Sequence, residues 1–199
     1  MNKKVKPPGA SNIFHPGAFK SQTYHLMKRI AHITLLFISL LTFAACDGYN
    51  PYSSYHANIV FDGTIYPYNQ ARSFGQFICI RKGANIGEYK VTDAMGKTQT
   101  VSIPQIHLQE GKFYYGLGGL IIGTPTMGDG NLWAYDWACP SCDLARYRVE
   151  IDYAMGHAIC PNCATKFDLN SKGIAIDGDS RPLWWYRVYD NGAQVIIQN

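Results

Sequence analysis

No Asp or Glu occurs in the first 45 residues, which hold six Lys/Arg. The remaining positions carry 12 basic and 14 acidic residues, so the formal net charge of +4 belongs to the N-terminal stretch. Without that stretch the chain is mildly acidic, and a basic surface for nucleic acid is unsupported. Charged residues are few overall, at 16%. No apolar run approaches the ~20 residues that span a bilayer comfortably. No helical period persists over a useful window, which argues against a helical domain. Gly116-Leu117-Gly118-Gly119 lacks the lysine and following helix of a phosphate loop, so nucleotide binding has no support. Asp62, Asp129 and Asp136 form no recognisable acid/base pair, and no nucleophile–base arrangement is visible. The chain on its own is therefore not expected to be an enzyme.

What the sequence has in quantity is aromatics, at 14%, with 19 glycines and 10 prolines. Short apolar or aromatic runs alternate with turn residues. The pattern predicts strands at Asn58–Phe61, Gln76–Ile80, Tyr89–Thr92, Thr100–Ile103, Lys112–Tyr115, Leu120–Gly123 and Asn131–Tyr135. Arg146–Tyr153 alternates polar and apolar residues and predicts one strand with a wet face. A short strand should return to Cys160, and Leu183–Tyr189 and Val195–Gln198 complete the set. The expected fold is all-β: a sandwich or barrel base with a small cysteine-bearing subdomain.

The N-terminal stretch reads as an export signal. Met27-Lys28-Arg29 is followed by an apolar run and then by Leu41-Thr42-Phe43-Ala44-Ala45-Cys46. A short basic region, an apolar core and small residues before a cleavage point make up a secretory signal. The two alanines before Cys46 resemble a bacterial lipobox, although Phe43 is bulkier than usual there. The resemblance implies a signal peptide over residues 1–45, with Met27 the candidate start, and lipidation of Cys46. Several acyl chains on that residue would give lasting membrane attachment. The expected mature chain, Cys46–Asn199, has 154 residues, enough for one domain. A tether should cover residues 46–57 and the domain residues 58–199. The location implied is the bacterial cell envelope, periplasmic or outer surface.

Two cysteine pairs carry the chemistry: Cys139-Pro140-Ser141-Cys142 and Cys160-Pro161-Asn162-Cys163. Each reads C-P-x-C, and the spacing fits a four-thiolate metal site. Two cysteines three apart on a tight turn can aim both sulfurs at one point, and proline stiffens the turn. Cys139, Cys142, Cys160 and Cys163 are the candidate ligands. Zinc, an all-cysteine 2Fe–2S cluster and disulfides all remain open as occupants of the site. A signal without twin arginines suggests export of an unfolded chain, which favours zinc or disulfides over a preassembled cluster. A thioredoxin-like role fits poorly, because that motif opens a helix in a βα unit.

From Cys160 through Lys166-Phe167-Asp168-Leu169, Gly173, Gly178, Pro182-Leu183 and Tyr186-Arg187-Val188, the chain is similar to the second half of a Rieske iron–sulfur domain. Leu120–Gly123 and Leu132–Pro140 resemble the strands leading into its first cluster loop. The resemblance covers about residues 58–199 and is most specific from 131 onward. It implies a β base with a metal subdomain over about 136–182, similar to a rubredoxin or zinc ribbon, and a shielding loop at Asp177–Pro182. Ser141 and Cys163 stand where that family has histidines, so two imidazoles on one iron are not available. The resemblance implies either a structural, partner-binding domain or an electron carrier serving an envelope redox partner. A subunit of an oxygenase-like enzyme is a third reading, but no catalytic domain accompanies it.

Other candidates have plainer expectations. Cys79, in an apolar strand, should be a buried free thiol. His157, three residues before Cys160, should be a turn or surface residue, and His56 and His107 stand alone. Trp133, Trp137, Trp184 and Trp185 should serve the core and the loop shield.

Overall fold

The computed structural model describes residues 27–30, 32, 50–109, 113–176, 178 and 180–199. The chain divides into two compact units, Met1–Tyr49 and Asn50–Asn199. In the first, the described residues 27–30 and 32 are helical and exposed. Most of the expected signal, and Cys46 with it, lies outside the described residues. Among the described residues no helix is long and apolar enough to cross a membrane.

The second unit is all-β. Its strands are β1 (Ala57–Asp62), β2 (Gln76–Lys82), β3 (Glu88–Thr92), β4 (Thr98–Ser102), β5 (Tyr114–Tyr115), β6 (Leu120–Thr124), β7 (Trp133–Asp136), β8 (Glu150–Asp152), β9 (His157–Ile159), β10 (Lys166–Asp168), β11 (Ile174–Ala175), β12 (Trp185–Asp190) and β13 (Gln194–Gln198). A 3-10 turn at Tyr68–Arg72 and a short helix at Gln105–Gln109 are the helical pieces. Nine strands pair in the order β4-β3-β2-β6-β7-β12-β13-β1-β5, and four in the order β11-β10-β9-β8. Every pairing between these strands is antiparallel.

The large sheet folds over on itself. Tyr89 of β3 crosses the interior, and its hydroxyl donates to the carbonyl of Val60 on β1 at 3.1 Å. Around that ring lie Ile59, Phe61, Ile78, Ile80, Leu120, Ile122, Ala134, Tyr186 and Ile197, which form the first core. Alternate residues on the same strands point the other way. Phe77 and Cys79 of β2, Ile121 of β6 and Tyr135 of β7 pack against Val149, Ala158, Phe167, Leu169 and Leu183 to form a second core. This explains why β6, Leu-Ile-Ile-Gly-Thr, is buried at every position: both of its faces are covered. Each large side chain fully buried this way contributes about 1.5–3 kcal/mol. The second core fixes the small sheet, and with it both cysteine turns, onto the large one.

The expected strand over Arg146–Tyr153 is shorter than the alternation suggested. Only Glu150–Asp152 pairs with β9. Residues upstream of it turn back toward the first cysteine pair. The amide of Cys139 donates to the Tyr147 carbonyl at 2.9 Å, and that of Val149 to the Trp137 carbonyl at 3.0 Å. One segment thus serves two partners in succession, and the polar–apolar alternation could not show the switch.

Candidate metal centre

Each C-P-x-C turn is built in the same way. In the first, the amides of Cys142 and Asp143 donate to the Cys139 carbonyl at 3.2 and 3.0 Å. In the second, the amide of Ala164 donates to the Cys160 carbonyl at 2.9 Å. The residue after each second cysteine is left-handed: Asp143 has φ 49° and Ala164 φ 60°. That conformation turns the chain sharply enough for both sulfurs of a turn to point inward. It is one that a residue with a Cβ adopts only under constraint.

The two turns face each other, and the four sulfurs lie within 4.8 Å of one another. The close approaches cross between turns: Cys139 Sγ to Cys163 Sγ is 3.6 Å, and Cys142 Sγ to Cys160 Sγ is 3.7 Å. All four thiols are free. These separations are well beyond the about 2.05 Å of a sulfur–sulfur bond. Four thiolates about 2.3 Å from one zinc ion stand about 3.8 Å apart along the edges of a tetrahedron. The arrangement therefore fits a single tetrahedral ion. In a 2Fe–2S cluster the thiolates on opposite irons straddle two irons and two sulfides, so the two pairs must stand farther apart than ligands of one ion.

The surroundings are graded. Cys139 and Cys160 are fully buried, Cys142 is half-buried and Cys163 is exposed. Desolvation raises the Cys139 and Cys142 thiols above their ordinary value. At Cys163 desolvation also raises the pKa, but bonds from the Thr165 hydroxyl and amide, with the nearby Cys160 and Cys139, outweigh it and bring the thiol down to about 6. The Thr165 hydroxyl lies 3.1 Å from Cys163 Sγ, and the Asn162 side-chain amide donates to Cys142 Sγ at 3.3 Å. Donors aimed at sulfur favour the thiolate, the form a metal ion requires.

Behind the first turn sits a carboxylate that the sequence reading did not single out as structural. Asp136 is completely buried. It accepts hydrogen bonds from the amides of Leu117 at 2.7 Å, Gly118 at 2.9 Å and Ala138 at 2.8 Å. The Tyr186 hydroxyl adds a fourth at 2.6 Å. Burial pushes the Asp136 pKa up, and these four donors pull against that rise. The glycine-rich turn thus wraps an internal anion. A Cβ on Gly118 would stand 2.5 Å from the Ala138 amide nitrogen, and Gly116 has φ +66°. The Arg148 guanidinium donates to the Gly118 carbonyl and lies over the Trp137 ring, 5.7 Å from its centroid. Asp136 was legible only as a lone acid in the run Leu132–Cys139.

Segment 50–56 also reaches this site. It runs beside the start of β12, with the Trp185 amide donating to the Pro51 carbonyl at 2.8 Å and the Ser53 amide to the Trp185 carbonyl at 2.9 Å. The Asn199 side chain holds the Ser53 and Tyr55 carbonyls at 2.9 and 2.8 Å. The Tyr55 ring meets Trp184 edge-on at 5.3 Å. The described part of the expected tether is therefore bound along the domain.

Of the remaining candidates, Cys79, Trp133, Trp137 and Trp185 share the second core with Cys139 and Cys160. Cys79 is fully buried and free in β2, with its thiol pushed up by burial. His157 pairs in register with Asp152 and Asp168 within the small sheet. His56 tilts against Tyr114, and His107 lies on the short helix. Trp133, Trp137 and Trp185 pack against the second core. Asp177 and Asp179 of the expected shielding loop lie outside the described residues. Leu183, just after that loop, is buried, and its amide donates to the Gly173 carbonyl at 2.9 Å. No protein-family model matches the chain, and no curated protein matches its sequence.

Proposed function

We propose that this chain is a lipid-anchored protein of the bacterial cell envelope whose Rieske-like β domain holds one zinc ion through Cys139, Cys142, Cys160 and Cys163. The observation that carries the metal reading is the sulfur geometry: four sulfurs within 4.8 Å, paired across the turns at 3.6 and 3.7 Å. Zinc is the natural occupant of such a closed site, where four protein ligands leave no position for substrate. Its role is structural, fastening two turns flanked by strands of only three or four residues. The domain then works by presenting its metal end to an envelope partner. The lipobox-like run before Cys46 supports the anchor, and the two-sheet architecture with one cysteine turn on each side of the β8–β9 hairpin supports the Rieske likeness.

An all-cysteine 2Fe–2S electron carrier is the competing reading, and the short distances between sulfurs speak against it. Elemental analysis of the purified chain, together with its visible spectrum, separates the two. One zinc per chain and no colour supports the structural reading. Two irons per chain with charge-transfer bands overturns it.

A further inference from the structure

The face of β12 opposite the first core carries aromatics at the rim of the second core: Trp185 and Trp133 are half-buried against it, and Tyr52 and Tyr189 are exposed. Trp185 lies on this side, with its ring 5.4 Å from Trp133 and its indole N–H donating to the Lys172 carbonyl at 3.1 Å. Tyr52 bridges in parallel to Trp185. Its neighbour Ser53 points inward, where its hydroxyl lies 3.0 Å from that of Tyr186, so Tyr52 points outward. Arg187 follows on the outward side, 4.8 Å over the Tyr52 ring. Two residues on, Tyr189 is 52% exposed and pairs with Ile196 of β13. Asp190, on the opposite side, is paired with Arg72 at 2.8 Å. The strip therefore combines Trp, Tyr and Ile with the cation of Arg187, and Lys172 lies exposed on the adjoining turn.

The chain arrives at this strip. Asn50 and Pro51 precede Tyr52 directly, and Cys46 lies four residues before Asn50. Even fully extended, four residues reach no more than about 14 Å. A lipid on Cys46 thus keeps Asn50 within that distance of the bilayer, and the next residue, Pro51, accepts from the Trp185 amide at the start of β12. Trp and Tyr prefer the headgroup level, where one edge of the ring is apolar and the other wet. Cations beside them gain from the negative surface potential of anionic lipids.

We propose that the strip Trp133–Trp185–Tyr52–Arg187–Tyr189 rests on the headgroup layer of the bilayer in which the chain is anchored. The proposal builds on the reading of Cys46 as the lipidated residue, and two separate readouts test it. The full chain, produced with its leader and extracted from membranes, is reconstituted into vesicles of phosphatidylethanolamine and phosphatidylglycerol. These are prepared with and without phosphatidylcholine brominated high on its acyl chains, a contact quencher of tryptophan. Mass spectrometry of the N-terminal peptide reports the lipid on Cys46. The expected result is a lipidated Cys46, tryptophan emission lowered by the brominated lipid, and loss of most of that quenching in the W133F/W185F variant. Phenylalanine keeps both sites filled, and an unchanged circular dichroism spectrum confirms folding. R187E should weaken the quenching as well and tests the same face without touching the core. A lipidated Cys46 with unquenched emission overturns the face proposal alone. So does quenching that survives in W133F/W185F. An unmodified Cys46 overturns the anchor reading and the face proposal together. A detergent-stable dimer that W133F/W185F dissolves would assign the strip to a second copy of the chain and also overturns the proposal.

Discussion

The Tyr186 hydroxyl donates to the Asp136 carboxylate at 2.6 Å, inside the sheet and three residues before the first cysteine of the centre. Both residues are buried, on neighbouring strands β12 and β7. The same carboxylate holds the amide of Ala138, next to Cys139. The position of the first cysteine turn is thus fixed from the large sheet, whether or not a metal is bound.

Asp136→Ala leaves the amides of Leu117, Gly118 and Ala138 without their acceptor, while the Tyr186 hydroxyl can still turn to Ser53. The expected cost is at least about 3 kcal/mol, read as a lower midpoint in urea. Gly118→Ala should act in the same direction, because its Cβ would meet the Ala138 amide at 2.5 Å. Wild-type stability in both variants would remove Asp136 from the account.

Ala164 occupies a left-handed position at φ 60° in an exposed turn. Glycine adopts that conformation without strain. Ala164→Gly should therefore stabilise the protein by up to about 1 kcal/mol, less what the freer unfolded chain gives back. The thermal midpoint measures it, and a clear fall would show that the turn is not strained there.

Stripped of metal, the four thiols should titrate unequally. Cys163, brought down to about 6, is a thiolate at neutral pH. Cys139 and Cys142, raised first of all by burial, remain thiols. Alkylation followed by peptide mapping should find Cys163 modified first, with a rate that rises through about pH 6. The linkage runs the same way. A thiol whose pKa is lowered on folding stabilises the native state fully above its unfolded value, and that contribution is lost as pH falls through about 6. Uniform modification at neutral pH would contradict this grading.

Cys142→Ser removes one of the four proposed ligands. It should release the ion and raise hydrogen exchange over residues 139–170, while the first core around Tyr89 keeps its protection. Unchanged metal content and melting temperature would sink the four-thiolate site.

Much of this was legible in the sequence. C-P-x-C repeated at metal-site spacing named all four sulfurs, because ligand geometry constrains local spacing. Strands such as β2 and β6 were legible because apolar runs bounded by turn residues leave few alternatives. What was not legible depended on partners distant in the chain. Asp136 reads as an ordinary acid until the turn at 116–119 closes around it. The left-handed positions fell on Asp143 and Ala164, where glycine would have signalled the turn. Tyr55 offers no hint that its hydroxyl reaches the Asp143 carboxylate, 88 residues later, at 2.6 Å. The alternation in Arg146–Tyr153 was real, but it marks a segment that changes partners.

The most direct test is metal stoichiometry on the purified chain, with an absorption spectrum of the same sample. The account predicts about one zinc per chain, no visible band, and loss of that zinc in Cys142→Ser. About two irons per chain with charge-transfer absorption, or no metal at all, would contradict it.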